Sequence, residues 1–501
     1  MATTSGCESA GPMAALMSAL TKNPASALTF FAGADREQRV AYYLGHRVWW
    51  DGKAAVTAAL DVAATTFTQP DDPRTIASVS LTSAVVEQLD DDTIFGPQAL
   101  KSVGHLFTVH LATPAGLNDL PRALQVSGVG DDPRWVANWW ASVSSDLHDL
   151  ALEQFGSQLG NLDGLPAASR DIANRAVLAG GLSDARADVD RLERLFTEAS
   201  HKQYYGDTLA LSNSLDQARR RLAMLEAVDT QLNIEQKYPP SLYLFDGTSL
   251  PGRAAIAFGD MDSAENIAVL VPGMGSHVTN YMGYISDNAA RTTILANEIQ
   301  AIRHDSGTTA TLAWIGYDAP GLDVVFTHDA NVGQPLLSGT LWGIQASHDA
   351  AGNDPHLSVL GHSYGSFLSG LTATKDNPID ELVLFGSPGA AVDSAYEFKI
   401  PAGHVFVGEA QGDFVADLDR FGPDPSRLEG VTTFQTDGGD QPLAGQDTLA
   451  SSGHSQYYLA NTESLWNIAA VVTGHTDSMT TGFTPGMGDL IRDDMDDNLG
   501  F

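Results

Sequence analysis

From residue 240 onward, short runs of uninterrupted apolar residues alternate with helix-length spacers, and that alternation leaves few folds open. Residues 241–245 and 253–258 read as strands around the turn Asp246-Gly247. Strand-like runs follow at 267–271, 311–315, 357–360, 382–385, 404–407 and 431–435. A strand with one wet face alternates apolar and polar residues, whereas a strand apolar throughout must be covered on both faces. Such runs separated by helices predict a largely parallel sheet flanked by helices, an α/β domain spanning residues 239–480.

One of those runs carries chemistry. The strand at 356–360 leads directly into Gly361-His362-Ser363-Tyr364-Gly365, and a helix begins at Ser366-Phe367-Leu368. A Gly-x-Ser-x-Gly match alone is weak, but placed between a strand and a helix it lifts a serine hydroxyl above the sheet edge. A serine is a poor nucleophile until a histidine takes its proton, and the histidine needs a carboxylate to fix its tautomer. The order expected on this scaffold is serine, acid, histidine. Asp413 follows the strand at 404–407 and is the first candidate acid; Asp393, after the strand at 382–385, is the rival, while Asp417 and Asp419 read as solvated helix residues. His454, after the last strand and a Gly-rich loop, is the first candidate base, with His475 the fallback and His404 a structural residue beside a strand.

An acyl-transfer site also needs donors for a developing oxyanion. Leu270-Val271-Pro272-Gly273-Met274-Gly275 follows the strand at 267–271, so Met274 or Gly275 is expected to supply one backbone N–H and Tyr364 the other. His277 and Trp314-Ile315-Gly316-Tyr317-Asp318-Ala319-Pro320 lie at neighbouring strand ends and are candidates to line the pocket. The stretches 279–303 and 321–348 are long enough to act as lids or to form fixed helices beside the pocket. Metal spacing and a dinucleotide fingerprint are both lacking, so no cofactor is expected.

Composition narrows the partners. With 27 basic against 62 acidic residues the formal charge is −35, which argues against nucleic acid or an anionic bilayer as a long-range electrostatic partner. A small-molecule or lipid ester substrate remains compatible, because local pockets decide that. Cys7 is the only cysteine, so an intrachain disulfide and a cysteine zinc site are both excluded. The N-terminus lacks a basic segment followed by a long apolar core, and no apolar run approaches the roughly 20 residues that span a bilayer. A soluble protein is expected, cytoplasmic or exported without a conventional signal peptide.

The first 238 residues read as helical. Met13 to Leu20 forms a helix that breaks at Asn23-Pro24, and an Ala-rich helix follows Trp50-Asp51-Gly52. Asp131-Asp132-Pro133 starts one helix carrying Trp135, Trp139, Val143, Leu147 and Leu150 on a single stripe. Residues 183–236 read as a helical hairpin, with Val189, Leu192 and Phe196 facing Leu211, Leu215, Leu222 and Leu225, Arg219-Arg220-Arg221 outside and Tyr205-Gly206-Asp207 as the turn. Four regions are therefore expected: 1–130, 131–238, 239–480 and an acidic tail, 481–501, with Asp493-Asp494-Met495-Asp496-Asp497. The helical half is a possible site for a helical protein partner.

Taken jointly, several stretches resemble an actinobacterial α/β-hydrolase family of unassigned activity. They are Asp163-Gly164-Leu165-Pro166-Ala167 with Arg170-Asp171 and Asn174-Arg175, Val269-Leu270-Val271-Pro272-Gly273, Trp314 to Pro320, Gly361 to Ser366, Gly386-Ser387-Pro388-Gly389, Asp413 with Val415, and His454 with Tyr458. The resemblance covers roughly residues 160–475 and implies the α/β-hydrolase fold, with Ser363, Asp413 and His454 in catalytic roles. It implies no substrate, since that fold hosts esterases, lipases, peptidases and acyltransferases. Members also often carry an N-terminal helical module similar to substrates of a specialised Gram-positive secretion pathway, and Trp50-Asp51-Gly52 is a tripeptide of the kind those modules place in a helical turn. The expectation is an esterase- or lipase-like serine hydrolase; the alternatives are a non-catalytic binding or secretion-associated module, a peptidase or an acyltransferase.

Overall fold

The computed structural model describes residues 12–69, 71–89, 94–201, 205–321, 327–441 and 445–482. The chain divides into two compact units, residues 1–155 and 156–501. Cys7 and the acidic run 493–497 lie outside the described residues. Among the described residues no helix is long and apolar enough to cross a membrane.

The first unit is helical: α1 (Pro12–Thr21), α2 (Pro24–Phe31), α3 (Arg36–Ala41), α4 (Ala54–Thr65), α5 (Thr75–Val86), α6 (Pro97–Leu111), α7 (Leu120–Gln125), α8 (Pro133–Ser142) and most of α9 (Ser145–Leu159). Asn23 breaks α1 from α2 and caps the latter, accepting the Ser26 N–H at 3.1 Å. Met17, Phe31, Leu60, Phe107 and Trp139 fill its core. The single helix expected from Asp132 is two helices. The apolar stripe runs on through Val143, but that residue is extended (φ −91°, ψ 154°) and the chain restarts at Ser145. Trp50-Asp51-Gly52 forms a turn just before α4, with Gly52 at φ 61° and Trp50 fully exposed. What precedes it is α3 and the π-helical turn that continues it, Tyr42–His46, eleven residues in all.

The second unit opens with the hairpin α10 (Ala167–His201) and α11 (Tyr205–Leu232). Tyr205-Gly206-Asp207, expected as the turn, is instead the start of α11; residues 202–204 are not among those described. Leu192, Leu215 and Leu225 are buried along the expected seam and Arg219–Arg221 are exposed. The root of α10 is stapled to the sheet by the stretch that resembles the hydrolase family. The Asp262 carboxylate accepts the Ala167 and Ala168 N–H groups. The fully buried Arg170 guanidinium donates to the carbonyls of Tyr243 at 2.7 Å and Gly160 at 3.2 Å, and lies 3.9 Å above the Tyr243 ring.

The sheet follows: β1 (Pro240–Asp246), β2 (Arg253–Phe258), β3 (Asn266–Val271), α12 (Val278–Ile302), β4 (Thr309–Ile315), α13 (His328–Ala351), β5 (His356–His362), α14 (Tyr364–Ala373), β6 (Glu381–Phe385), β7 (Val405–Gly408) and β8 (Thr432–Phe434). Their order is β1-β2-β4-β3-β5-β6-β7-β8, with β2 antiparallel to its neighbours and every other pairing parallel. All eight strands lie where the apolar runs are. A two-stranded ribbon, β9 (Gly439–Gln441) with β10 (Gln446–Thr448), interrupts the Gly-rich loop, and α15 (Glu463–Val472) closes the fold. Ala268 and Leu270 of β3 face a core with α12 and α15, while Ile267, Val269 and Val271 face a core with α13 and α14. This is the α/β-hydrolase fold, preceded by an all-helical region. The two stretches with lid-like length are largely α12 and α13, whose Met282, Ile285, Ala296, Leu337 and Leu341 are buried in those cores; residues 322–326 are not among those described.

Register sets the site. Val271 is level with Gly361, His362 with Phe385, and Phe385 with Gly408. The residues that follow β3, β5, β6 and β7 therefore emerge together along the carboxyl edge of the sheet.

Candidate active site

Ser363 lies at the end of β5 with φ 57° and ψ −128°, a conformation unfavourable to a residue with a side chain. Its neighbours permit it. A Cβ at Gly361 would stand 2.7 Å from Ser366 Cα, and one at Gly365 would collide with the Val271 carbonyl. The Ser363 N–H donates to the Phe385 carbonyl at 3.1 Å, tying the turn to β6.

The Ser363 Oγ lies 2.8 Å from His454 Nε2. On the other side of the imidazole, Nδ1 lies 2.8 and 3.0 Å from the two carboxylate oxygens of Asp413. The second nitrogen thus carries its proton toward the carboxylate, and Nε2 accepts from the serine hydroxyl. Asp413 is buried, and burial alone would raise its carboxyl. The hydrogen bond and charge of His454, with the Tyr457 hydroxyl at 2.7 Å, outweigh this and hold it below the usual carboxylate value. Sequence order thus brings Ser363, Asp413 and His454 into one hydrogen-bonded chain. The rivals stand elsewhere: Asp393 is exposed, His475 bonds to Asp305 at 3.1 Å, and His404 bonds to Glu381 at the amino ends of the strands. Asp417 and Asp419 lie in and just after a single 3-10 turn, Ala416–Leu418.

The loop after β3 passes directly over Ser363. A Cβ on Gly273 would stand 2.7 Å from Ser363 Cβ and 3.0 Å from Oγ. Within that loop the Gly275 N–H is already donated to the Pro320 carbonyl at 2.9 Å, which removes Gly275 as an oxyanion donor. Tyr364 opens α14, where the first N–H groups of a helix have no carbonyl within the helix to bond. Trp314 and Tyr317, expected at the pocket wall, are instead fully buried and stacked at 5.9 Å, with the Tyr317 hydroxyl 3.5 Å from the Pro272 carbonyl. Tyr317 thus holds the loop, and Trp314 packs behind Tyr317. Asp318 is exposed, and His277 stands at the N-terminus of α12.

Two further residues, Tyr457 and Gly386, touch the site without having been singled out as site residues from sequence, and His362, expected only as part of the elbow, makes a contact of its own. His362 donates from Nε2 to the His454 carbonyl at 2.7 Å; burial, then the neighbouring His454, push its pKa down to about 4, so it is neutral at ordinary pH. Tyr457 bonds to Asp413. Gly386, at φ 55°, leaves room for both partners, since a Cβ there would lie 2.7 Å from Asp413 Oδ2 and 3.2 Å from His454 Nδ1. Gly386 had a sequence signal, as the first glycine of Gly386-Ser387-Pro388-Gly389 after an apolar strand; the contacts of His362 and Tyr457 are tertiary and had none. Among the described residues no group of three or more His, Cys, Asp or Glu is placed to hold a metal ion.

Residues 248–423 match a family model described as alpha/beta hydrolase, a span holding Ser363 and Asp413 and ending before His454. An uncharacterized protein of Mycobacterium bovis is 32% identical over 221 residues, covering 42% of this chain and 82% of that relative. The chain belongs to the alpha/beta hydrolase family. Another member of the comparison, an uncharacterized protein of Mycobacterium tuberculosis, is 29% identical over 395 residues, or 72% of this chain; the aligned part spans 58% of that relative's length. Among solved structures, a hyperthermophilic esterase from the archaeon Pyrobaculum calidifontis aligns with 52% of this chain and 92% of its own, at 12% identity and a TM-score of 0.30. Carboxyl esterase 2 from the fungus Tuber melanosporum aligns with 49% and 89%, at 11% identity and a TM-score of 0.29.

Proposed function

We propose that this protein is a serine hydrolase that cleaves carboxylic esters through an acyl-enzyme. The observation that carries the reading is the continuous chain Ser363 Oγ, His454 imidazole, Asp413 carboxylate at the carboxyl edge of the sheet, with distances of 2.8 Å at each link. Ser363 Oγ attacks the ester carbonyl while His454 Nε2 takes its proton, and Asp413 stabilises the imidazolium that forms. The oxyanion is held by the backbone N–H groups of Tyr364 and Met274. Collapse of the tetrahedral intermediate passes the proton from His454 to the departing alcohol. Water then repeats the sequence, its proton going to His454 and its oxygen to the acyl carbon, and the acid leaves with Ser363 restored.

A fluorophosphonate probe tests the nucleophile. It is expected to label the wild-type chain and not Ser363→Ala; labelling retained in the variant overturns the assignment. Nitrophenyl esters of graded acyl length then test ester cleavage, with turnover by wild type and loss of at least a thousandfold in Ser363→Ala. A wild type that is labelled but turns over no ester in the series points instead to amide or acyl-transfer chemistry at the same serine.

A further inference from the structure

Resting on that reading of the site, we infer that Tyr457 is a positioning residue that locks the Asp413 carboxylate against the base. The hydroxyl bridges two partners: the Ala410 N–H at 2.9 Å and Asp413 Oδ2 at 2.7 Å. A backbone N–H can only donate, so the hydroxyl oxygen accepts from Ala410. Its own proton is then directed to the carboxylate. Burial and the adjacent Asp413 charge push the phenol well above its ordinary value, so this proton stays in place through the range in which a histidine base works.

The two carboxylate oxygens are fixed from different sides. Oδ1 receives the Val415 N–H at 3.1 Å and Oδ2 receives Tyr457, leaving the edge between them facing His454 Nδ1. A carboxylate held at one oxygen alone turns about its Cβ–Cγ bond; held at both, it presents one edge to the imidazole. The phenol ring is itself fixed, with centroids 5.2 Å from Phe385 and 5.8 Å from His362. Tyr457 lies three residues beyond His454, so one hydroxyl joins the loop of the base to the loop that follows β7, at both Ala410 and Asp413. His454 is thus held through its ring by Asp413 and through its main chain by His362.

The test is Tyr457→Phe, which removes one oxygen and keeps the ring. The expected result is a fall in kcat of about tenfold, the scale of one hydrogen bond to a charged group, with KM unchanged. The acid limb of kcat/KM moves to higher pH, because the Asp413 carboxylate, with one donor fewer, attracts the protons of the neighbouring imidazole more strongly. In an Asp413→Asn background the same substitution is expected to cost less than twofold, since the carboxylate it acts on is gone. Wild-type kcat and an unmoved acid limb overturn the inference, as does an undiminished tenfold loss in the Asp413→Asn background. A lowered Tm with unchanged kcat and pH profile assigns the tyrosine a packing role and overturns it too. Should Tyr457→Phe fail to fold, fluorotyrosine at 457 supplies the more acidic phenol. The acid limb is then expected to move to lower pH, and no movement overturns the inference. Absence of Ser363 labelling in the wild type refutes the proposed function itself, whereas normal labelling with an inert Tyr457→Phe refutes only this role.

Discussion

Replacing Gly273 by alanine would set a methyl group 2.7 Å from Ser363 Cβ and 3.0 Å from Oγ. Ordinary contact begins at 3.4 Å, so the shorter approach is too close by 3.4 − 2.7 = 0.7 Å. Neither side yields easily, since Ser363 Cβ is rooted in a turn whose N–H is bonded to Phe385 and the loop is tied to Pro320 through Gly275. The backbone of Gly273 is not in the left-handed region, so the substitution reads steric contact alone. Overpacking of this kind costs about 1–3 kcal/mol of stability, while a displacement approaching 1 Å at reacting atoms costs about a hundredfold in rate. The expected outcome is a folded protein whose rate of fluorophosphonate labelling and kcat on nitrophenyl esters both fall about a hundredfold. Circular dichroism and a urea titration establish the fold, and single-turnover labelling reads the serine directly. Labelling at the wild-type rate in a folded Gly273→Ala variant refutes the placement of this loop over the nucleophile.

His362→Phe keeps the stacking on Phe385 at 5.5 Å but removes the donor to the His454 carbonyl, so kcat is expected to fall about tenfold with KM unchanged, and His362→Gln to recover part of the loss; equal rates in all three proteins refute it. Arg170→Met strips the Asp163 carboxylate of its ion pair and leaves the Tyr243 and Gly160 carbonyls to the Asn174 amide alone, a loss of about 3–5 kcal/mol in urea unfolding; a loss under about 1 kcal/mol contradicts the staple. Burial pushes the Glu381 carboxyl up to about 7 against the hydrogen bond from His404, with His356 and Asp380 also facing it. A carboxyl raised on folding contributes stability below its unfolded value of 4.5 and loses it as pH climbs to about 7. Glu381→Gln is therefore expected to flatten the decline in Tm between those pH values, and an unchanged slope refutes the assignment.

The strands were legible because parallel strands buried on both faces are written as continuous apolar runs, and Leu357–Leu360 or Leu382–Phe385 admit little else. The sequence order Ser363, Asp413, His454 was legible for a related reason: each follows a strand or the last strand's loop, and strand ends share one edge. Where tertiary contacts decide, the sequence was silent. Val143 continues a helical apolar stripe although the helix has ended, because periodicity reports burial and not hydrogen bonding. Trp314 and Tyr317 lie near a site in sequence and beneath it in space. Glycines at 273 and 275 look alike, and only the bond to Pro320 separates their roles. Nothing in a run of Ser-Gln-Tyr-Tyr tells which tyrosine reaches a carboxylate, since the partner is 44 residues away.

His454 is the last in sequence of the three residues proposed as the triad, and it is carried by a loop rather than by the sheet. Its place depends on α15, which follows it and fills the sheet face behind β3, β5 and β6. A chain that has made β5 and β7 already possesses the serine and the acid, yet holds an unactivated alcohol. On the proposed reading the serine gains its base only once the loop carrying His454 is seated. That loop is tied to α15 by the Glu463 N–H on the Leu449 carbonyl at 3.0 Å and the Ser464 hydroxyl on the Tyr457 carbonyl at 2.7 Å. For the proposed hydrolase, loosening α15 would then leave Ser363 in place and without its base.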